Sequence, residues 1–90
     1  MKNNALIVNK RDNVAVALRD LKAGEIVIIH GEELFALVED IPASHKLALR
    51  EIEAEEEIVK YGEVVGVSVK KIVRGAWVHT HNLESRRWKK

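Results

Sequence analysis

The chain lacks cysteine altogether and contains a single proline among its 90 residues. Without cysteine there is no disulfide to staple a small domain, and no thiolate to act as a nucleophile or a metal ligand. This absence favours a cytoplasmic protein. The first residues lead into an apolar run that is too short for a signal-peptide core or a membrane span, so we predict no membrane partner.

An excess of charge of one sign is lacking too. The 15 lysines and arginines face 14 aspartates and glutamates, which leaves a net charge of +1. A nearly neutral chain has no bulk field that would attract nucleic acid, so we predict no nucleic-acid partner. We interpret the one basic cluster, which lies in the last residues 84–90, as a solvated tail. Its members are Arg86, Arg87, Lys89 and Lys90.

The size and composition of the chain indicate one small folded domain over residues 1–90, since 47% of the residues are hydrophobic. A chain this short has a thin core, which favours stabilisation by a partner subunit. The exposed edges of short strands would also allow self-association into a homo-oligomer.

One ten-residue pattern occurs three times, at residues 18–27, 49–58 and 69–78. Each copy has an apolar residue, a charged pair, a second apolar residue, a turn and a β-rich run. Gly24 and Gly75 occupy the turn, where glycine reaches a positive φ without steric cost. Glu55 stands at that position in the middle copy, so either that turn holds a left-handed glutamate or its geometry differs. The unequal spacing of the copies argues against a solenoid and indicates a compact domain that reuses one supersecondary unit.

Short β-rich segments make up most of the remaining sequence. We predict a hairpin turn at residues 30–33 and a short helix over residues 47–52 with Ser44 as its N-cap. Many short strands separated by turns indicate a mainly β, barrel-like fold with short helical or 3₁₀ turns. The predicted strands cover residues 5–8, 14–17, 26–29, 34–37, 58–60, 64–69 and 77–80.

Residues 77–82, with the sequence Trp-Val-His-Thr-His-Asn, are the stretch richest in chemical groups. Alternate residues of a strand point to the same face, so a strand here would place His79 and His81 side by side with Cα atoms about 6–7 Å apart. Two such imidazoles can share a metal ion, or hold a carboxylate while one ring moves a proton. Their spacing leaves both alternatives open.

Three other stretches place polar groups beside apolar ones. Asp12 and Asn13 precede a predicted strand, where they could also be ordinary turn residues. His45 follows the predicted N-cap, close to backbone N–H groups that favour anions, although a surface histidine is an equal alternative. Lys60 and Tyr61 end another strand, where a solvated charge and a half-buried ring are the structural alternative.

Four of these stretches, taken together, resemble a known family. They are similar in sequence and order to the N-terminal region of altronate and galactarate dehydratases, and to the small subunit of sulfolactate sulfo-lyase. The repeated turn-and-strand unit resembles the SAF domain, a β-clip fold shared with type III antifreeze protein and sialic acid synthase. The match runs from residue 12 to residue 83 and rests on residues 12–17, Asp40-Ile41-Pro42 with His45-Lys46, residues 58–62 and residues 77–82.

The resemblance implies a lyase component that eliminates water from an aldonate, working beside a separate large catalytic subunit and inactive alone. It implies a substrate-binding role for Asp12, Asn13, Tyr61, Thr80 and Asn82. It further implies a divalent metal, Fe²⁺, held by His79 and His81. The catalytic residues that it implies are His45, Lys46, Lys60, His79 and His81.

This chemistry makes a clear demand on the site. Dehydration removes the proton α to a carboxylate and expels a β-hydroxyl, through an aci-carboxylate with two negative charges. A divalent metal or several cationic donors must stabilise that charge. The chain departs from the family pattern at Ser44, where glycine is usual, and at Glu55-Glu56, where Lys-Gly-Glu is usual.

Two alternative functions remain. One is the small subunit of a sulfolactate sulfo-lyase. The other is a non-catalytic SAF module that binds a carboxylate or a sugar through the same basic and histidine groups, since a scaffold does not dictate catalysis. An ice-binding face is excluded, because it would need a flat uncharged surface and the motifs here are dense in ionisable groups.

Overall fold

The computed structural model describes residues 2–85 and folds them into short strands joined by tight turns. The basic cluster predicted as a solvated tail, from Arg86 to Lys90, lies outside these residues. The strands are β1 (Ala5–Leu6), β2 (Val14–Ala17), β3 (Ile26–Ile29), β4 (Glu32–Ala36), β5 (Lys46–Ala48), β6 (Glu57–Lys60), β7 (Glu63–Ser68), β8 (Trp77–Val78) and β9 (Leu83–Glu84).

Three antiparallel sheets make up the molecule, which confirms the mainly β prediction. A central four-stranded sheet has the order β1-β2-β5-β8, a hairpin is formed by β3 and β4, and a three-stranded sheet has the order β6-β7-β9. The predicted hairpin at residues 30–33 is also confirmed, since β3 and β4 are joined at His30 and Gly31. Their φ angles of 54° and 77° fit a type I′ turn, whose twist matches that of the flanking strands.

The helix predicted over residues 47–52 is wrong. Leu47 and Ala48 belong to β5, which is hydrogen-bonded to β2 on one side and β8 on the other. Both side chains are fully buried, so burial between two strands overrides the local helical pattern. Ser44 caps no helix and has a φ of 70°. Residues 2–85 contain no helix, hence none long and apolar enough to cross a membrane.

The repeated unit occurs four times rather than three. We number these turn units 1 to 4, at residues 18–27, 38–47, 49–58 and 69–78, and each has the same succession of bridge, turn and strand. The sequence comparison of the copies did not detect unit 2, because Pro42 and Ser44 replace the usual residues of its turn. The left-handed residues of the four turns are Gly24, Ser44, Glu55 and Gly75, with φ angles of 91°, 70°, 69° and 86°.

The units combine into two similar halves. Isolated bridges join Leu21 to Ile41 in the first half and Ile52 to Ile72 in the second. Each half has a hairpin with a type I′ turn and a register shift two residues into its first strand, between Val27 and Ile28 or between Ile58 and Val59. Each half also has its own hydrophobic cluster. The central sheet connects the two.

Three buried asparagines tie the strands of these units in the same way. In each, the side-chain Nδ2 donates to one backbone carbonyl and Oδ1 accepts from the N–H two residues later, at 2.8–2.9 Å. A buried amide bonded at both ends satisfies backbone groups that the ladder leaves unpaired. We call these the asparagine clamps; they are Asn4 on Ile26 and Ile28, Asn13 on Glu57 and Val59, and Asn82 on Trp77 and His79.

Candidate functional site

Three imidazoles gather around one indole ring. The ring of His79 is stacked on that of Trp77, with centroids 5.4 Å apart and an interplanar angle of 6°. His81 lies against the same indole at 5.3 Å, and His45 lies 5.5 Å from it and 4.7 Å from His79. We call these four residues the imidazole cluster.

The backbone brings these rings together from two turn units. His45 follows the left-handed turn of unit 2, directly before β5, and Trp77 opens β8, where it pairs with Leu47 of β5. The predicted strand over residues 77–80 is wrong beyond Val78, since residues 79–82 form a turn closed by N–H groups of Asn82 and Leu83 on the His79 carbonyl. This turn, and not strand alternation, sets His79 and His81 against one indole.

A hydrogen bond between rings fixes the tautomer of one imidazole. The indole Nε1–H of Trp77 donates to Nδ1 of His45 at 3.1 Å. Because the indole nitrogen can only donate, Nδ1 must carry the lone pair, and the proton of the neutral His45 ring lies on Nε2. His45 therefore presents a proton donor at its other nitrogen.

Two residues of this arrangement were given no role from the sequence. Trp77 was part of the motif, yet only the structure shows that its indole organises the cluster. Glu39 had no signal, and its Oε2 accepts a hydrogen bond from the backbone N–H of Trp77 at 2.9 Å. An aromatic residue with a polar N–H, two positions before a histidine, was the signal that could have indicated Trp77.

Two lysines add positive charge to the cluster. Burial lowers the pKa of Lys46, and the neighbouring Lys60 lowers it further. The pKa of His79 is also lowered, first by burial and then by the charges of His45, Lys46 and His81. Among residues 2–85, neither lysine forms an ion pair with a carboxylate. Neighbouring cations without acidic partners favour the binding of an anion in this region.

The other predicted site residues differ in what they contact. Lys60 places its Nζ 4.9 Å from the centroid of the Tyr61 ring, at the exposed tip of the second hairpin. Thr80 is exposed in the turn between the two histidines. Asp12 accepts backbone N–H groups of Gly62 at 2.7 Å and Asn9 at 3.2 Å, so both its oxygens hold loops in place.

Asn13 and Asn82 are both asparagine clamps, like Asn4, which belongs to no predicted site. Each is about 4% exposed, with its amide committed to backbone groups. The structure thus gives both residues a structural role, and the substrate-binding role inferred from the resemblance stays a prediction.

The described part of the chain does not fit a complete metal centre. Between residues 2 and 85 there is no group of three or more histidine, aspartate or glutamate side chains placed to hold one ion. Nδ1 of His45 is already occupied by the Trp77 indole. The Fe²⁺ site inferred for His79 and His81 stays a prediction, and it would need ligands in addition to those of residues 2–85.

Comparison with known proteins decides the family. Residues 3–86 match the altronate/galactarate dehydratase SAF domain family. The chain belongs to this family. That membership confirms the resemblance inferred from the four sequence stretches.

Curated relatives of this SAF domain are lyases of two kinds. The chain is 44% identical to galactarate dehydratase (L-threo-forming) of Escherichia coli over 73 residues, 79% of this chain and 13% of that protein. It is 37% identical to altronate dehydratase of Bacillus subtilis over 78 residues, 87% of this chain and 16% of that protein. It is 43% identical to (2R)-sulfolactate sulfo-lyase subunit alpha of Paracoccus pantotrophus over 49 residues, 54% of this chain and 73% of that protein. The chain thus spans less than a fifth of the dehydratases.

Proposed function

We propose that this SAF domain is the small component of a lyase that acts on a sugar acid or sulfo acid, together with a separate large catalytic subunit. The observation that carries the proposal is the convergence of His45, Lys46, Lys60, His79 and His81 from three separate stretches of chain on one region. A cytoplasmic location goes with this proposal, as the absence of cysteine predicted.

Binding of the substrate carboxylate is the first role of the site. Lys46 and Lys60 are close enough for the charge of one to lower the pKa of the other, so an anion between them relieves their repulsion. The same pair would stabilise the second negative charge of the aci-carboxylate, when the α-proton leaves. No acidic side chain pairs with either lysine within residues 2–85, so both cations are available to the substrate.

Proton transfer is the second role, and the two rings at 4.7 Å suit opposite steps. His79 has a lowered pKa and so is neutral near pH 7, ready to take the α-proton as the C–H electron pair moves into the carboxylate. His45 presents Nε2–H, since Trp77 holds its Nδ1, and can donate a hydrogen bond to the departing β-oxygen. The α-proton held by His79 then passes to that oxygen, which leaves as water, and both rings return to their neutral starting state.

The lowered pKa of His79 sets a pH dependence. Protonation below that pKa removes the base, so the acidic limb of kcat/KM should lie below pH 6.5, the ordinary value for an imidazole. At pH values above that pKa, His79 stays in the neutral form that can accept a proton.

The small-subunit part of the proposal is supported by two relatives that are themselves named as subunits. The chain is 39% identical to one (2R)-sulfolactate sulfo-lyase subunit alpha over 54 residues and 43% identical to another over 49 residues. A domain of this family therefore exists as a subunit beside other chains, and the same arrangement is proposed here.

The test is turnover by the full chain co-expressed with its large partner, on altronate, galactarate and sulfolactate. We expect activity on one of these acids, and a loss of at least about 100-fold in kcat for His79→Gln and for Lys46→Gln. Lys22→Gln is the matched control. Lys22 is an exposed lysine whose surface contact with Asp40 is 3.8 Å long, so its replacement should leave kcat unchanged.

Near-normal kcat in His79→Gln would refute the catalytic assignment. A different result would favour the non-catalytic alternative: no turnover with any partner, but saturable carboxylate binding that is lost in Lys46→Gln. Assays with and without ferrous iron test the predicted metal separately.

A further inference from the structure

A concave region distinct from the imidazole cluster is lined by residues from both halves of the molecule. It has a volume of about 520 Å³, within the range of pockets that hold small organic ligands. Its lining comes from the segment between β1 and β2, the hairpin of β3 and β4, and turn units 3 and 4. None of the imidazole cluster lines it.

The lining of this hollow combines an apolar part, which we call its floor, with cationic side chains. Ile7, Leu34, Phe35 and Leu49 supply aliphatic and aromatic surface, and Arg74 and Lys10 contribute positive charge. The guanidinium carbon of Arg74 lies 4.9 Å from the centroid of the Phe35 ring, so the ring orients the charge beside the floor. Within residues 2–85, neither cation forms an ion pair.

The one carboxylate in the lining does not cancel this charge. Asp12 turns both oxygens to backbone N–H groups, of Gly62 and Asn9. Burial would raise the pKa of Asp12, but these hydrogen bonds outweigh it and hold the pKa below its ordinary value. The Asp12 carboxylate is therefore engaged by backbone N–H groups of the loops, so Arg74 and Lys10 remain available to bind a ligand.

From this arrangement we infer that the hollow is a binding site for a small organic anion with a flat apolar body, such as an aromatic carboxylate. The ring of the ligand would lie on the apolar floor, and its carboxylate would meet the guanidinium of Arg74, which can bind it with two hydrogen bonds. This site is separate from the proposed lyase site and does not depend on it.

The experiment is a titration of the ¹⁵N-labelled full chain with phenylacetate, followed by backbone amide shifts. We expect saturable shifts at Leu34, Phe35 and Arg74, with a dissociation constant of about 1 mM, the range expected for a ligand of ten heavy atoms. Acetate lacks the ring and phenylacetamide lacks the charge, so each should bind about tenfold more weakly.

Two variants and one control decide the outcome. Arg74→Gln should weaken phenylacetate about tenfold, and Leu34→Glu, which places a like charge on the floor, should abolish the shifts. Lys22→Gln removes an exposed cation elsewhere and should leave the affinity unchanged. Unchanged binding in Arg74→Gln, equal binding of phenylacetamide, or shifts confined to Trp77 and His79 would each overturn the inference. Because no step requires turnover, a failed lyase assay leaves this test unaffected.

Discussion

Turn units 1 and 3 differ from units 2 and 4 in the residue that follows the left-handed turn and in its partner earlier in the unit. In units 1 and 3 it is Glu25 or Glu56, whose carboxylate accepts a backbone N–H of its own turn and pairs with an arginine, Arg19 or Arg50. In units 2 and 4 the same position holds His45 or Ala76.

The backbone of the turn is nearly the same whichever residue occupies this position. The N–H of that residue bonds the carbonyl three residues earlier in all four units, at 2.9–3.1 Å. The ion pair is therefore not what makes the turn. A unit that gives it up can point the side chain elsewhere, as His45 does toward the indole of Trp77. The backbone of the turn is thus the same in every unit. The imidazole cluster is built on units 2 and 4, which do not have the glutamate–arginine ion pair.

The largest expected effect tests the division between scaffold and site at the asparagine clamps. Asn4→Ala, in the scaffold, leaves the N–H of Ile28 and the carbonyl of Ile26, which are partly buried, without their side-chain partner. We expect a loss of about 3 kcal/mol in the free energy of unfolding, measured by urea denaturation. Asn82→Ala should cost a similar amount, because its two bonds to Trp77 and His79 are the same.

Turnover separates the two clamp variants. Asn4→Ala should keep its kcat under conditions where it is folded, while Asn82→Ala should lose activity because the turn that carries His79 is released. Full stability together with lost turnover in Asn82→Ala would instead make Asn82 a substrate-binding residue, as the resemblance implied.

A smaller effect distinguishes the glycine turns of units 1 and 4. Gly24 has a φ of 91° with no atom within 4 Å of an added Cβ, so Gly24→Ala costs only backbone strain, about 1 kcal/mol. At Gly75 the φ is 86°, and a Cβ would also lie 2.9 Å from the carbonyl oxygen of Ala36. We expect Gly75→Ala to lose about 2 kcal/mol in urea denaturation. Equal losses would mean that the contact relaxes freely.

The smallest effect is expected at the ion pairs of units 1 and 3. Arg50 is more than half exposed, so Arg50→Gln should cost under about 1 kcal/mol at neutral pH. Arg50 and the backbone N–H of Glu53 lower the pKa of Glu56 from its ordinary 4.5. The contribution is therefore complete above about pH 4.5 and is lost as pH falls through the lowered pKa. Unfolding curves of both proteins should converge near pH 2, and a constant difference there would exclude this ion pair as its cause.

Local patterns carried most of the fold prediction. The strands at residues 14–17 and 26–29 have the predicted bounds, because alternation and β-branched residues there agree with burial. Strand β5 was missed because it has three residues, and its burial comes from neighbours on both sides. Glu55 takes the left-handed conformation, which was one of the two alternatives that the sequence left open for its turn.

The site was only partly open to prediction. The sequence predicted that a strand sets His79 and His81 side by side, whereas in the structure each lies against the Trp77 indole and a turn closed by the Asn82 clamp positions them. The motif contained Trp77 but did not predict its contact with His45, because the hydrogen bond between the two rings spans 32 residues of sequence.

The sequence by itself determined the mainly β class, the first hairpin, the repeated turn unit and the family, because each depends on residues close in the chain or on motif order. Tertiary structure alone decided which side chains meet. Three features join segments that are distant in the chain. They are the Trp77–His45 hydrogen bond, the clamp of Asn13 on Glu57 and Val59, and the hollow beside Arg74. Such contacts exist only once two half-domains pack on a shared sheet, and no local pattern encodes them.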